Sequence, residues 1–170
     1  MIYINIGSNL NSQKGDRFYN LSKAVELINT NSIKILKISN IYETPSYPNS
    51  KNPKFLNMCL AIQCKEKPGS LIKIFKVIEK KLQRNKSQRN QPRTCDIDII
   101  DYYGKIINQS KITTPHPRAH LRNFVLFPLR EVAPKWVHPI LNKKIDFLIK
   151  KLNLKLRNEI TRLNESVMID

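Results

Sequence analysis

The spacing of apolar residues changes several times along the chain, and the order of these changes limits the possible folds. Alternating apolar residues are typical of strands, whereas apolar residues three and four apart are typical of amphipathic helices. These patterns predict strands at residues 2–6, 33–42, 55–64 and 95–100, and helices at about 15–29 and 70–83. The alternation slips in the second strand, which predicts a β-bulge or burial of both faces. The order βαββαβ predicts a ferredoxin-like α+β fold.

The chain continues beyond this core. Tyr103-Gly104 predicts a hairpin turn that pairs the strand at 95–100 with Ile106-Ile107. Additional C-terminal helices are predicted at residues 124–132 and 145–156, the second within a lysine-rich helical tail at about 143–170. Because neither an internal repeat nor a linker interrupts the sequence, all 170 residues are predicted to form a single domain.

The composition is that of a globular protein, with 41% hydrophobic and 25% charged residues. No apolar run is long enough to cross a bilayer, so no membrane partner is expected. Residues 1–6 lack the features of a secretory signal, which predicts a cytoplasmic protein. Cys59, Cys64 and Cys95 lack metal-binding or redox spacing and are expected to be buried free thiols.

A formal net charge of +17 leaves a small basic RNA-binding module open as an alternative function. Lysine, asparagine and isoleucine recur throughout, a bias that AT-rich coding DNA produces, so a solvated lysine surface is the preferred explanation of the charge. An RNA-recognition sheet carries paired aromatic residues in a Gly-Phe-x-Phe-like strand, and this sequence has no such strand. Nucleic-acid binding is therefore not expected.

Asp96 and Asp98 point most directly to chemistry. They lie two apart on a predicted strand, so their side chains leave one face while Ile97 and Ile99 point into the core. Two converging carboxylates are hard oxygen ligands of the kind that Mg²⁺ prefers, together with water and nucleotide phosphates. A solvated strand face is the alternative, because Asp-x-Asp is a common pattern. Asp101 has the opposite parity and is expected at the strand end or on the surface.

A basic segment without apolar side chains, residues 83–92, directly precedes these acids and is expected to form a loop. The cations in and next to this loop are Arg84, Lys86, Arg89 and Arg93. Cations beside two carboxylates predict a polyphosphate ligand between them. Direct pairing of the acids with these cations is the alternative.

A second basic cluster lies within residues 114–124, where His116, Arg118 and Arg122 occur with two prolines. A rigid loop just before a helix offers donors to phosphate, although such residues are more often ordinary loop surface. The sequence contains neither Gly-x-x-x-x-Gly-Lys-Ser/Thr nor Gly-x-Gly-x-x-Gly. A nucleotide would therefore be held by a different design.

Six short motifs in order along the chain share one family pattern. They are Ile6-Gly7-Ser8-Asn9-Leu10, Tyr42-Glu43-Thr44-Pro45, Phe55-Leu56-Asn57, Pro92-Arg93-Thr94-Cys95-Asp96-Ile97-Asp98, Pro115-His116-Pro117-Arg118 and Arg122-Asn123-Phe124. Together they resemble 6-hydroxymethyl-7,8-dihydropterin pyrophosphokinase of folate biosynthesis. The resemblance runs from Met1 to about Pro139 and leaves only the tail uncovered.

The resemblance implies a ferredoxin-like monomer that binds MgATP first and then the pterin. It implies transfer of the β,γ-diphosphate of ATP to the hydroxymethyl oxygen of the pterin, with release of AMP. Asp96 and Asp98 would hold two Mg²⁺ ions. A different Mg²⁺-dependent nucleotidyl or phosphoryl transferase with the same Asp-x-Asp is the enzymatic alternative, and the release of AMP separates the two reactions.

The resemblance also assigns roles to individual residues. The catalytic set is Asp96, Asp98, Arg84 and Arg93. The ATP-binding set is Lys86, Arg93, His116, Arg118 and Arg122. The pterin-binding set is Thr44, Pro45, Phe55, Asn57 and Phe124, with the two aromatic rings on either side of the pterin.

The chain departs from the family pattern at four positions. Lys86 stands where a second loop arginine is usual, which keeps the charge and loses the bidentate fork. Phe55 replaces a frequent tyrosine, and Asn90-Gln91 replaces a typical Trp-Gly, which predicts looser closure of the site. Glu79 matches an acidic residue of the family and is expected to be structural or adjacent to the nucleotide.

Overall fold

A computed structural model describes residues 1–30, 32–47, 49–84, 91–165 and 167. The strands are β1 (Ile2–Ser8), β2 (Ile33–Ile38), β3 (Tyr42–Thr44), β4 (Phe55–Cys64), β5 (Asp96–Tyr102), β6 (Ile107–Gln109), β7 (Ile112–Thr114) and β8 (Thr161–Arg162). The helices are α1 (Arg17–Ile28), α2 (Pro68–Lys81), α3 (Asn123–Val132), α4 (Ile145–Lys151) and α5 (Leu154–Asn158), with a 3₁₀ turn at Ala119–Leu121.

The main sheet is antiparallel and has the order β5-β1-β4-β3-β8, with β2 also beside β4. β1 and β2 both run antiparallel to β4, so they are parallel to each other, and α1 joins them across β4. In the same way α2 joins β4 to β5 across β1. This is the split βαβ arrangement, so the predicted ferredoxin-like α+β fold is confirmed.

The single strand predicted at residues 33–42 is divided in two. β2 pairs with residues 60–64 of β4, and β3 pairs with residues 55–57. The register of β2 shifts between Ile35 and Lys37, so the bulge was the correct alternative for the slipped apolar pattern.

Helices cover both faces of the sheet. On one face α1 and α2 enclose a core that includes Ile4, Leu21 and Phe75. On the other face α3 and α4 enclose a second core that includes Ala61 and Leu126. Burial on both faces explains why β4 is apolar at nearly every position and why its alternation is weak.

Local sequence explains where several helices begin. The carboxylate of Asp16 caps α1 by accepting a hydrogen bond from the backbone N–H of Tyr19 at 2.8 Å. Pro68 starts α2, where its missing N–H costs nothing. Asn153 caps α5, and its Oδ1 accepts from the backbone N–H of Leu156 at 2.8 Å. This cap divides the helix predicted at 145–156 into α4 and α5.

The tail is not wholly helical, which corrects the prediction for about 143–170. The short strand β8 pairs with Tyr42 and Glu43 of β3 and extends the sheet. Ile145 and Leu148 on α4 are buried in the second core. A two-residue strand has no detectable sequence periodicity, so the helical pattern before it was extended too far.

The predicted pairing of β5 with Ile106-Ile107 is also wrong. Tyr103 and Gly104 do form a turn with positive φ angles of 55° and 68°. Ile107 instead pairs with Thr114, because β6 and β7 form a separate two-stranded sheet.

The three cysteines are buried and free, as expected. Within the ranges that the structure describes, no helix is both long enough and apolar enough to cross a membrane.

Candidate active site

Three strands of the main sheet bring the predicted site residues together at one end. Gly7 near the end of β1 is opposite Asn57 on β4 and opposite Asp96 on β5. A Cβ atom at Gly7 would lie 3.0 Å from Asn57 Oδ1 and 3.6 Å from Phe55 Cδ1. Glycine is therefore needed here for close packing of the site rather than for backbone conformation.

Asp96 is half-buried between two arginines. Arg84 Nη1 donates to Asp96 Oδ1, and Arg93 Nη1 donates to Asp96 Oδ2 at 2.7 Å. Charge-assisted bonds of this kind are among the stronger hydrogen bonds in proteins. Direct pairing of acids with loop cations, one of the alternatives in the sequence, is thus what the structure describes for Asp96.

Asp98 has a different environment on the same face of β5. It is opposite Asn5 of β1. Burial raises the pKa of the Asp98 carboxyl to about 6, and the charge of Asp96 acts in the same direction. With its amide oriented to donate, Asn5 bonds Phe124 O at 3.2 Å and Met58 O at 3.1 Å, which ties the start of α3 to the sheet.

The acids also fit the chemistry expected of a magnesium site. Among the described residues, no group of three or more His, Cys, Asp and Glu side chains forms a complete metal site. Asp96 and Asp98 supply only hard oxygen donors, which suits an ion that keeps waters and borrows phosphate oxygens. The carboxylate pair is thus compatible with Mg²⁺ that is completed by a nucleotide.

The predicted parity of Asp101 is wrong. A register shift between Tyr3 and Ile4 inserts an extra residue into β5, so Asp101 is on the same face as Asp98. It is buried, not exposed, and accepts from Trp136 Nε1 at 2.8 Å and from Gly104 N at 2.6 Å. Its role is to hold the second core and the turn after β5.

Asn9 connects three segments at the site, and sequence reasoning did not assign it a role beyond its motif. Its Oδ1 accepts from Arg93 N at 2.7 Å, while its own N–H donates to Arg93 O at 3.0 Å. Its Nδ2 donates to Ser46 Oγ and to Pro53 O, each at 3.1 Å. The only sequence signal was its position directly after Gly7-Ser8.

The second basic cluster consists of His116, Arg118 and Arg122. The backbone N–H of His116 donates to Ile100 O at 2.8 Å, which attaches the loop to β5. Burial lowers the pKa of His116 to about 4, and the charges of Arg122 and Arg118 add to the effect. Burial also lowers the pKa of Arg122, against which Asp98 and Asp96 act. The charges of Asp98 and Asp96 thus act on Arg122, which is half-buried, whereas Arg118 is exposed.

The residues predicted to bind the pterin lie beside this charged cluster. Asn57 and Thr44 are buried, and Asn57 Nδ2 donates to Thr44 Oγ1 at 3.2 Å. Phe55 and Phe124 are half-buried, as is Pro45. An arginine lies over each ring, with Cζ-to-centroid distances of 6.0 Å for Arg93 over Phe55 and 5.3 Å for Arg122 over Phe124.

Three residues singled out in the basic loop are in the part that the structure does not describe. Lys86, Arg89 and Asn90 lie outside the described residues. Gln91 is described, and its backbone O accepts from Arg93 Nε at 3.2 Å.

The fold and the site define a ferredoxin-like α+β protein whose sheet end combines a carboxylate pair, arginines and half-buried aromatic rings. The family model for 7,8-dihydro-6-hydroxymethylpterin-pyrophosphokinase (HPPK) matches residues 3–134. The chain belongs to this family, and the resemblance seen in its motifs is confirmed.

Individual relatives agree with the family assignment. The chain is 37% identical over 132 residues to the Bacillus subtilis 2-amino-4-hydroxy-6-hydroxymethyldihydropteridine pyrophosphokinase, with 77% of each protein covered. It is 36% identical to the folic acid synthesis protein fol1 of Pneumocystis carinii, which covers 89% of this chain and 20% of that protein. The chain thus spans about a fifth of the length of that relative, and 22% of the corresponding protein of Dictyostelium discoideum.

A solved structure supports the fold independently. The crystal structure of wild-type Plasmodium falciparum HPPK-DHPS matches 95% of this chain and 44% of that chain, with a TM-score of 0.70. The two sequences are 16% identical over this match, so the similarity concerns the fold alone.

Proposed function

We propose that the protein transfers diphosphate from ATP to 6-hydroxymethyl-7,8-dihydropterin and releases AMP. In this reaction the hydroxymethyl oxygen bonds to the β-phosphorus, the bond from the β-phosphorus to the AMP oxygen breaks, and the hydroxyl proton leaves. The observation that carries the proposal is the convergence of Asp96, Asp98, Phe55 and Asn57 at one end of the sheet. Phosphate chemistry and ring recognition can meet only where these groups are adjacent.

Asp96 and Asp98 are proposed to hold two Mg²⁺ ions. When bound, such ions would neutralise the charge that develops on the phosphates during transfer. To hold an ion, the carboxylate of Asp96 would have to give up its arginine partners. Arg84 and Arg93 remain beside the site and are free to donate to phosphate oxygens, and the charges of both acids also act on Arg122.

The proposed pterin site depends on shape and a few polar atoms. Phe55 and Phe124 offer apolar ring faces of the kind that stack on a flat heterocycle. Asn57 and the backbone at Thr44-Pro45 offer donors and acceptors to the edge of the ring. Arg93 lies over the Phe55 ring and Arg122 over the Phe124 ring, so each ring keeps one face for a pterin without displacing its arginine.

His116 is proposed to act as a neutral group. A pKa of about 4 keeps its imidazole uncharged at neutral pH, and its Nδ1 accepts from the backbone N–H of Arg118 at 3.1 Å. Its other ring nitrogen then carries the proton and is a donor that can reach a phosphate oxygen. Arg118 and Lys86 are proposed to add charge at the edge of the phosphate site.

The direct test is product analysis with purified protein, ATP, Mg²⁺ and 6-hydroxymethyl-7,8-dihydropterin. We expect AMP and the pterin diphosphate in equal amounts, with neither product when the pterin is omitted. Formation of ADP or inorganic diphosphate in place of AMP would favour the alternative nucleotidyl or phosphoryl transferase. Absence of AMP with active, folded protein would contradict the proposal.

The RNA-binding alternative finds no support in the fold. A ferredoxin-like RNA-binding module uses an open sheet face for stacking bases. Here α1 and α2 cover one face and α3 and α4 cover the other. We therefore propose ATP and the pterin as ligands, with a monomeric, cytoplasmic protein as the working hypothesis.

A further inference from the structure

Glu79 on α2 is a buried acid that contacts β5 and Arg84 next to the carboxylate pair. Glu79 is 2% exposed, although glutamate is rarely buried without partners. Lys76 Nζ donates to its carboxylate at 2.8 Å, but the Lys76 side chain is 57% exposed, so this pair contributes little. The reason for burying a charge here must lie in its other contacts.

The first of these contacts fixes the strand that carries the acids. Glu79 Oε1 accepts from the backbone N–H of Ile97 at 2.9 Å, and Ile97 stands between Asp96 and Asp98. β5 forms an edge of the described main sheet, so an N–H that faces away from β1 has no neighbouring strand there. The Glu79 carboxylate provides the acceptor that a further strand would otherwise supply.

The second contact holds an arginine of the site. Arg84 Nη1 lies between Glu79 Oε1 and Asp96 Oδ1 and forms an ion pair with each. The backbone N–H of Arg84 also donates to the backbone O of Glu79 at 3.0 Å. Glu79 thus binds both ends of Arg84, and it continues to do so when Asp96 takes another partner.

We infer that Glu79 is a positioning residue for phosphate binding that acts through Arg84 and through the backbone of β5. This inference rests on the proposed function. Once the Asp96 carboxylate is occupied in the nucleotide complex, Arg84 would lose one of its two acidic partners. Glu79 then keeps its guanidinium beside the site rather than in solvent, where a flexible arginine side chain would lose its orientation.

The inference is tested by a double-mutant cycle of Glu79→Gln with Arg84→Ala, measured as calorimetric binding of β,γ-methylene-ATP with Mg²⁺. Glutamine keeps an acceptor for Ile97 N–H and removes the charge that holds Arg84. We expect Glu79→Gln to weaken nucleotide binding about tenfold in the wild-type background. In the Arg84→Ala background the same substitution should weaken nucleotide binding by less than about twofold. Equal losses in both backgrounds, or no loss from Glu79→Gln alone, would overturn the inference.

A matched control separates charge removal in general from this contact. Glu26 on α1 forms an i,i+3 pair with Lys23, as Glu79 does with Lys76, but its side chain is 65% exposed. Glu26→Gln should leave nucleotide binding unchanged. Urea unfolding reports whether each variant folds, and the chemical shift of the Ile97 amide reports whether the β5 contact survives in Glu79→Gln.

The inference and the proposed reaction fail on different measurements. The cycle measures nucleotide binding, whereas the reaction is measured by AMP formation. If AMP is not formed but the cycle shows coupling, the proposed function fails and the positioning role stands. If AMP is formed and the cycle shows additive losses, the positioning role fails alone.

Discussion

At the scale of single residues, Asp96 and Asp98 differ although they share a face of β5. Asp96 is neutralised by Arg84 and Arg93, so its charge is compensated before any ligand arrives. Asp98 is in a less favourable setting, since burial and the neighbouring acid raise its pKa to about 6. A site of this kind gains most from a cation, which would stabilise the charged form of Asp98.

Replacement of Asp98 tests this difference. Asp98→Asn should reduce turnover by about a thousandfold, since the loss of a metal ligand removes several kcal/mol of transition-state stabilisation. At pH 7.5 and without Mg²⁺ it should raise the melting temperature, because a raised pKa means that the ionised carboxylate destabilises the fold above pH 6. Asp146→Asn, at an exposed ion pair with Arg130, is the control for both measurements. Wild-type turnover in Asp98→Asn would contradict the metal assignment.

His116 should make stability depend on pH. Its pKa of about 4 in the folded protein lies below the ordinary 6.5, so the unfolded chain takes up the proton first as the pH falls. Its contribution is complete above pH 6.5 and is lost between about pH 6.5 and 4, on the order of 2 kcal/mol. Urea unfolding at pH 7 and pH 4.5 should therefore show a smaller loss for His116→Gln than for the wild type. Equal losses in the two proteins would refute this.

At the scale of elements, the site depends on how β5 is fixed along its length. Near the start of β5, the Glu79 carboxylate accepts from the backbone N–H of Ile97. Near its end, the register shift turns Asp101 toward the second core, where Trp136 Nε1 donates to it. The strand is thus attached to α2 on one face of the sheet and to the segment between α3 and α4 on the other. This framework fixes the backbone from which Asp96 and Asp98 project.

Trp136→Phe should separate the stability of β5 from catalysis. The change removes the indole N–H from a buried carboxylate and should lower the free energy of unfolding by about 1–3 kcal/mol. The Michaelis constants should change by less than about twofold at temperatures where the variant is folded. Urea unfolding and steady-state kinetics check the two parts. Unchanged stability would mean that the Asp101–Trp136 bond contributes nothing.

The loop before β5 carries a prediction that comes from sequence alone. Asn90-Gln91 stands where the family typically has Trp-Gly, and the lost aromatic ring should weaken closure over the site. Restoring Trp-Gly should lower the Michaelis constant for ATP or the pterin, or raise turnover. Steady-state kinetics of the double variant beside the wild type are the measurement. Equal kinetic constants would remove this claim.

At the scale of the whole molecule, the C-terminal segment is part of the domain and not an appendage. β8 pairs with β3, which carries Thr44, and Val167 reaches the first core. Leu163 N donates to Ile41 O at 2.9 Å directly beside that strand. The tail thus supports one side of the proposed pterin site.

Truncation after Asn158 tests that support. Removal of β8 and Val167 should lower the melting temperature by several degrees, because buried apolar area and two backbone pairings are lost. Pterin affinity should fall more than nucleotide affinity, since β3 and not β5 loses its neighbour. Calorimetric binding of each ligand distinguishes the two effects. An unchanged melting temperature would show that the tail is dispensable.

The sequence by itself determined the order of the core strands and helices and the family, and it predicted the residues of the candidate site, because apolar periodicity and short motifs are local properties. It did not determine where Asp101 points, which strand β6 joins, or that β8 exists. A single inserted residue reverses the facing of every later side chain in a strand, and its position follows from pairing with β1. Whether Asp96 pairs with arginines, and why Glu79 is buried, likewise depend on residues distant in sequence. Only the tertiary structure brings α2, β1 and β5 close enough to decide them.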